Sequence, residues 1–73
     1  MKVLEIKNNL VKIAYDVKDN LVLSGFVIIE DENTPYVAQV VNLKADVTSN
    51  FAIVKLLFTF NEEGILKPYN GSI

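Results

Sequence analysis

The sequence predicts an all-β domain, a small closed or partly open β-barrel of about five to six mostly antiparallel strands. Three observations carry this. Phe51–Phe60 is a run of β-branched, aromatic and aliphatic residues broken only by Lys55 and Thr59, the composition of a strand rather than a helix. Leu10 to Val17 alternates apolar and polar residues, the period of a half-buried strand. Turn signals recur about every ten residues, as in small barrels and sandwiches, and no window carries a helical apolar stripe free of them.

The elements follow in order. Val3 to Lys7 is a short first strand, and Asn8-Asn9 a turn, since Asn tolerates the left-handed backbone such turns need. In the second strand Val11, Ile13, Tyr15 and Val17 share one face. Lys18-Asp19-Asn20 is the next turn. Gly25 interrupts the apolar run from Leu21 to Ile29, which predicts a bulge or tight bend. Asp31 to Pro35 is a polar loop in which Pro35 ends pairing. Tyr36 to Leu43 is a strand with Tyr36, Ala38 and Val40 inward. Lys44 to Asn50 is a polar connection. The long run Phe51–Phe60 follows, then a turn at Asn61-Glu62-Glu63-Gly64 and a short extended Ile65-Leu66-Lys67. The sequence ends on Pro68 to Ile73 with no strand or helix predicted there.

Strict alternation puts Ala52, Val54, Leu56, Phe58 and Phe60 of the long run inside. It leaves Phe51, Ile53 and Leu57 outside, and a contiguous apolar patch there marks an interaction surface. These three are the candidate interface residues.

Composition restricts the chemistry. The 73 residues bound a single domain, 1–73, with a small core. Cys and His are both absent. That removes thiolate chemistry, the commonest general base and the commonest transition-metal ligand. The net charge is −2 and every basic residue is Lys. An acidic domain without Arg is poorly equipped for phosphate or guanine. The glycines Gly25, Gly64 and Gly71 are too scattered to form a phosphate loop. Glu30-Asp31-Glu32 reads as a solvated hairpin loop rather than a Ca²⁺ or Mg²⁺ site. Glu62-Glu63 reads as a turn without a pocket to raise a pKa. Ser–Lys pairings have no supporting spacing, and the strand aromatics read as core before base-stacking platform. Tyr69, beyond the strands, is expected to dock on the barrel. No catalytic, cofactor-binding or metal residue is assigned. No secretion signal or membrane-spanning stretch is evident, and a cytoplasmic setting is expected.

Leu23-Ser-Gly-Phe-Val-Ile-Ile-Glu30 has the form Leu-x-Gly-x-Val followed by an acidic residue. Tyr36 to Leu43 continues it, with the small Ala38 two places before Val40. Asn61-Glu-Glu-Gly64 and Pro68-Tyr-Asn-Gly71 complete a pattern running from about Val3 to Gly71. The whole resembles the HAS barrel, the N-terminal β-barrel of HerA-type helicase or translocase ATPases and of rotary ATP synthase α and β subunits. Ala38 departs from the more usual Gly. The resemblance implies a non-catalytic barrel at the N-terminus of a longer, hexameric P-loop ATPase chain that holds the ring together by self-association. It implies ATP, Mg²⁺ and any DNA contact only downstream, in the parent's ATPase domain. The contrasting reading is a stand-alone barrel of OB or SH3 type that binds nucleic acid or peptide.

Without an anion cradle or Arg, the chain is expected to give no calorimetric signal with micromolar Mg-ATP. Its dissociation constant for DNA or RNA at physiological salt is expected to stay above about 10⁻⁶ M, in the non-specific range, by fluorescence anisotropy.

Overall fold

A computed structural model describes residues 1–45 and 48–69. They form an all-β curled half-barrel. The strands are β1 (Lys2–Lys7), β2 (Leu10–Tyr15), β3 (Phe26–Asp31), β4 (Thr34–Ala45), β5 (Asn50–Phe60) and β6 (Leu66–Pro68), all antiparallel to their partners. The sheet order is β1-β2-β5-β4-β3, with β6 also paired to β5. β1 and β3 do not pair with each other, so the barrel is open along that seam.

β5, the apolar run, holds the centre. β4 pairs along nearly its whole length on one side. On the other side β2 pairs with Asn50 to Lys55 and β6 with Phe58 to Phe60, end to end. Between them the Leu56 N–H donates to the Asn9 carbonyl at 2.7 Å, and beyond β6 the Tyr69 N–H donates to the Leu57 carbonyl at 2.9 Å.

The core consists of Val11, Ile13, Ile29, Ala38, Val40, Ala52, Val54 and Leu56, all buried. Val3, Tyr15, Leu21, Val27, Tyr36, Leu43 and Tyr69 pack around them, half-buried. Expectation and structure agree on Val11, Ile13, Tyr15, Tyr36, Ala38 and Val40. Val17 is different. β2 ends at Tyr15, and Val17 opens a single 3-10 turn, Val17–Asp19, where it is 77% exposed.

Three one-residue bulges curl the sheet. On β1, Val3 pairs with Ile13 and Glu5 with Lys12, so Leu4 is extra. On β4, Val40 pairs with Val54 and Asn42 with Ile53, so Val41 is extra. On β5, Leu56 pairs with Ala38 and Phe58 with Val37, so Leu57 is extra. Each bulge bends its strand and reverses the alternation beyond it. Paired residues share a face, so Phe58 lies on the outer face with Val37 and Thr59 on the inner face with Tyr36. The expectation that Phe58 and Phe60 point inward is therefore corrected; strict alternation fails at Leu57. Both rings are half-buried and neither packs on the core.

Pro35 does not end pairing. It lies within β4 opposite Glu30, and Asp31 to Thr34 is a tight hairpin. Its two central residues, Glu32 and Asn33, have φ of +48° and +68°, the left-handed pair that a two-residue hairpin loop of type I′ demands. The polar connection after Leu43 is also shorter than expected, because β4 runs to Ala45 and β5 starts at Asn50; residues 46–47 lie outside the described residues. Pro68 belongs to β6, so the expectation of no strand there is corrected; residues 70–73 lie outside the described set.

The bend at Gly25 is present as a turn. The Gly25 N–H donates to the Val22 carbonyl at 3.0 Å, Ser24 has φ +66°, and the Ser24 N–H and Gly25 carbonyl both bond Val40 at 2.8 Å. A Cβ at Gly25 would meet Val22 Cγ2 at 2.7 Å and the Val22 carbonyl oxygen at 3.0 Å, so a side chain there forces the turn to shift. The Asn61–Gly64 turn is held by Asn61 Oδ1, which accepts the Glu63 and Ile65 N–H groups at 2.9 Å each. Gly64 there has φ +79°.

Two stability outcomes follow. Ile13→Ala removes a fully buried side chain from a small core and is expected to cost about 2–5 kcal/mol in urea unfolding, whereas Ile53→Ala, half-buried on the outer face, costs less. Replacing Glu32-Asn33 by Asn-Gly relieves left-handed strain and is expected to raise stability by about 1 kcal/mol in the same assay.

Candidate functional site

The candidate interface residues Phe51, Ile53 and Leu57 are all half-buried. Phe51 and Ile53 do lie on the outer face of β5. Phe51 pairs with Ala14 and Lys44, and Ile53 with Lys12 and Asn42. Lys12 Nζ stands 5.0 Å from the Phe51 ring centroid, a cation–π distance. Lysine stems thus screen part of this surface from water. Leu57 is the β5 bulge residue. Leu57 has no register partner on β4, whereas Phe51 and Ile53 are paired on both sides.

The same bulge creates an apolar row that strict alternation hides. Ile28 of β3, Val37 of β4, Phe58 of β5 and Pro68 of β6 pair in succession across four strands, all on the outer face. The pair Phe60 and Leu66 extends it. Ile28 is 56% exposed and Leu66 47%, and Phe26, the next outward residue of β3, is 66% exposed. Strand alternation hides such a row when a bulge reverses it, and no residue type in the sequence marks the bulge.

The inner face carries a second feature, a pocket of about 310 Å³ at the open seam. Ile6 of β1 lines one side, Ile29 and Asp31 of β3 the other, with Val11 and Leu56 at the back. Tyr36 and Tyr69 complete it. Their rings meet edge to face, with centroids 5.4 Å apart and planes at 83°, a favourable aromatic geometry. Tyr69 is docked on the barrel as expected, packed against the core and tied to β5 through its backbone.

The acidic sequence Glu30-Asp31-Glu32 is split by the hairpin. Asp31 pairs with Thr34 on the inner face, Glu30 with Pro35 on the outer face, and Glu32 is in the turn. No group of three potential metal ligands comes together among the described residues. Glu62 and Glu63 are exposed in their turn. Away from both features, the Asp19 carboxyl is held below its ordinary value of 3.8. The main cause is the Asp16 N–H donating to Asp19 Oδ2 at 2.8 Å, reinforced by the Met1 ammonium at 3.5 Å. No described helix is long and apolar enough to cross a membrane.

No family model, curated protein or solved structure matches the chain. What the fold defines is its class: a small, antiparallel, open β-barrel domain with an apolar row outside and a tyrosine-lined pocket at its seam.

Proposed function

We propose that this domain is a non-catalytic assembly barrel of the HAS type, the N-terminal module of a HerA-like hexameric P-loop ATPase of helicase or translocase kind. Its task in this reading is to hold the ring together. ATP, Mg²⁺ and DNA then belong to the parent's downstream domain, and the setting is cytoplasmic. The observation that carries the reading is the outer row Ile28–Val37–Phe58–Pro68, extended by Phe60 and Leu66. Apolar rows across four strands are costly to leave in water and mark contact surfaces. A barrel–barrel contact made through one such row is expected to fall at the weak end of specific interfaces, below about 1,200 Å² in total. A ring closes many such contacts at once, so weak pairwise affinity suffices. The contrasting reading is a stand-alone barrel of OB or SH3 type that binds nucleic acid or peptide, and it requires no self-association.

The test is Phe58→Glu, which puts a charge on the outer face and leaves the core untouched. The variant is expected to keep the far-UV circular dichroism spectrum of the wild type. Sedimentation equilibrium at high protein concentration is expected to show self-association of the wild type and at least a tenfold weaker constant for the variant. A wild type that remains monomeric at millimolar concentration sinks the assembly reading. So does equal association of both proteins.

A further inference from the structure

We propose that the pocket at the open seam binds a primary ammonium group carried on a short aliphatic stem, such as a lysine side chain or a free alkylamine. This stands apart from the assembly reading, because the pocket lies on the inner face and the apolar row on the outer.

The lining chemistry selects the ligand. Ile6, Val11, Ile29 and Leu56 make an apolar wall suited to a methylene chain. Tyr36 and Tyr69 present aromatic rings, whose faces attract cations. Asp31 is the single charged residue of the lining and stands half-buried at the end of β3. Among the described residues the ion pair within 4.0 Å joins the Met1 ammonium to Asp19. All seven lysines lie in the described residues, so Asp31 has no cationic partner from its own chain. A carboxylate that lines a pocket together with apolar walls gains from a cation delivered on an apolar stem. Glu30 and Glu32 on either side of it in the chain repel anions from the same end.

Size and access agree with this class. At about 310 Å³ the pocket is at the lower limit of small-molecule sites, room for one side chain rather than a cofactor. Because β1 and β3 are unpaired, the seam between Ile6 and Ile29 gives an extended peptide or a free amine a way in.

The experiment is a titration of the full 73-residue chain followed by amide chemical shifts, at fixed ionic strength and neutral pH. The probes are n-butylammonium, Nα-acetyl-lysine N-methylamide, n-butanol and butyrate. Saturable shifts centred on Ile29, Asp31, Tyr36 and Leu56 are expected for at least one ammonium probe, with millimolar affinity. Butanol is expected to bind at least tenfold more weakly and butyrate not at all. Binding of the lysine derivative alone identifies a peptide source, and binding of butylammonium alone a free amine. Asp31→Asn, with Asp31→Ser as a second variant, is expected to weaken the ammonium probe at least tenfold while preserving a dispersed spectrum. The proposal is overturned if neither ammonium probe gives saturable shifts there, if butanol or butyrate binds equally well, or if folded Asp31 variants bind as the wild type does. The wild-type comparison of ammonium with butanol decides the matter even if neither variant folds.

Discussion

The structure depends on the pairing of both edges of β5. A strand with two apolar faces in so short a chain poses a conflict, because a domain of this size can enclose only one of them. The ladder resolves it by position. With β4 along one edge and β2 and β6 end to end along the other, the backbone of β5 is satisfied along most of its length. Its inner side chains, Ala52, Val54 and Leu56, then form the floor of the core. The outer side chains are left to lysine stems at one end and to the apolar row at the other.

The bulges convert a flat sheet into a curled one. Leu4, Val41 and Leu57 each add a residue to one strand of a pair, and a bulged strand twists and bends more strongly than a regular one. Curling draws β1 and β3 toward a common seam without pairing them, so Ile6 and Ile29 line one pocket although they belong to opposite edges. The open edges carry their own protection. β1 presents Lys2, Glu5 and Lys7, and β3 ends on Glu30 and Asp31; charged edge residues discourage uncontrolled strand addition.

Elements whose signals are local were legible in the sequence. Val11 and Ile13 read as core because β2 keeps strict alternation along its length, and the Asn8 and Asn61–Gly64 turns announce themselves by residue type. Tyr69 is legible as a docked residue because it is an aromatic side chain just beyond the predicted strands. The differences between expectation and structure have separate physical origins. Counting twos from Ala52 puts Phe58 and Phe60 inward, and a bulge at Leu57 carries no residue signature, since Leu is ordinary strand composition. Proline lacks an N–H and so signals a break at Pro35, yet β4 accommodates it opposite Glu30, where the loss of one donor is tolerated. The pocket was not legible at all. Its lining comes from Ile6 to Tyr69, and their convergence is fixed by registers summed over every strand pair.

The bulge at Leu57 also separates the outer apolar row from the pocket at the seam. Upstream of it, the inner residues of β5 are core, and downstream the inner position is Thr59, whose hydroxyl donates to the Pro35 carbonyl at 3.3 Å. Without the reversal Phe58 would point inward, into the space beside Tyr36 that the Tyr69 ring approaches, and the outer row would lose its central member. One extra residue therefore does two things at once: it keeps a bulky ring out of the inner face at the seam, and it sets that ring on the outer face between Val37 and Pro68. A small domain with a marginal core has little apolar surface to spare, and this placement lets the same strand serve both its interior and its exterior. The pocket and the row are thereby tied to a single backbone feature while facing opposite directions, and they share no side chain.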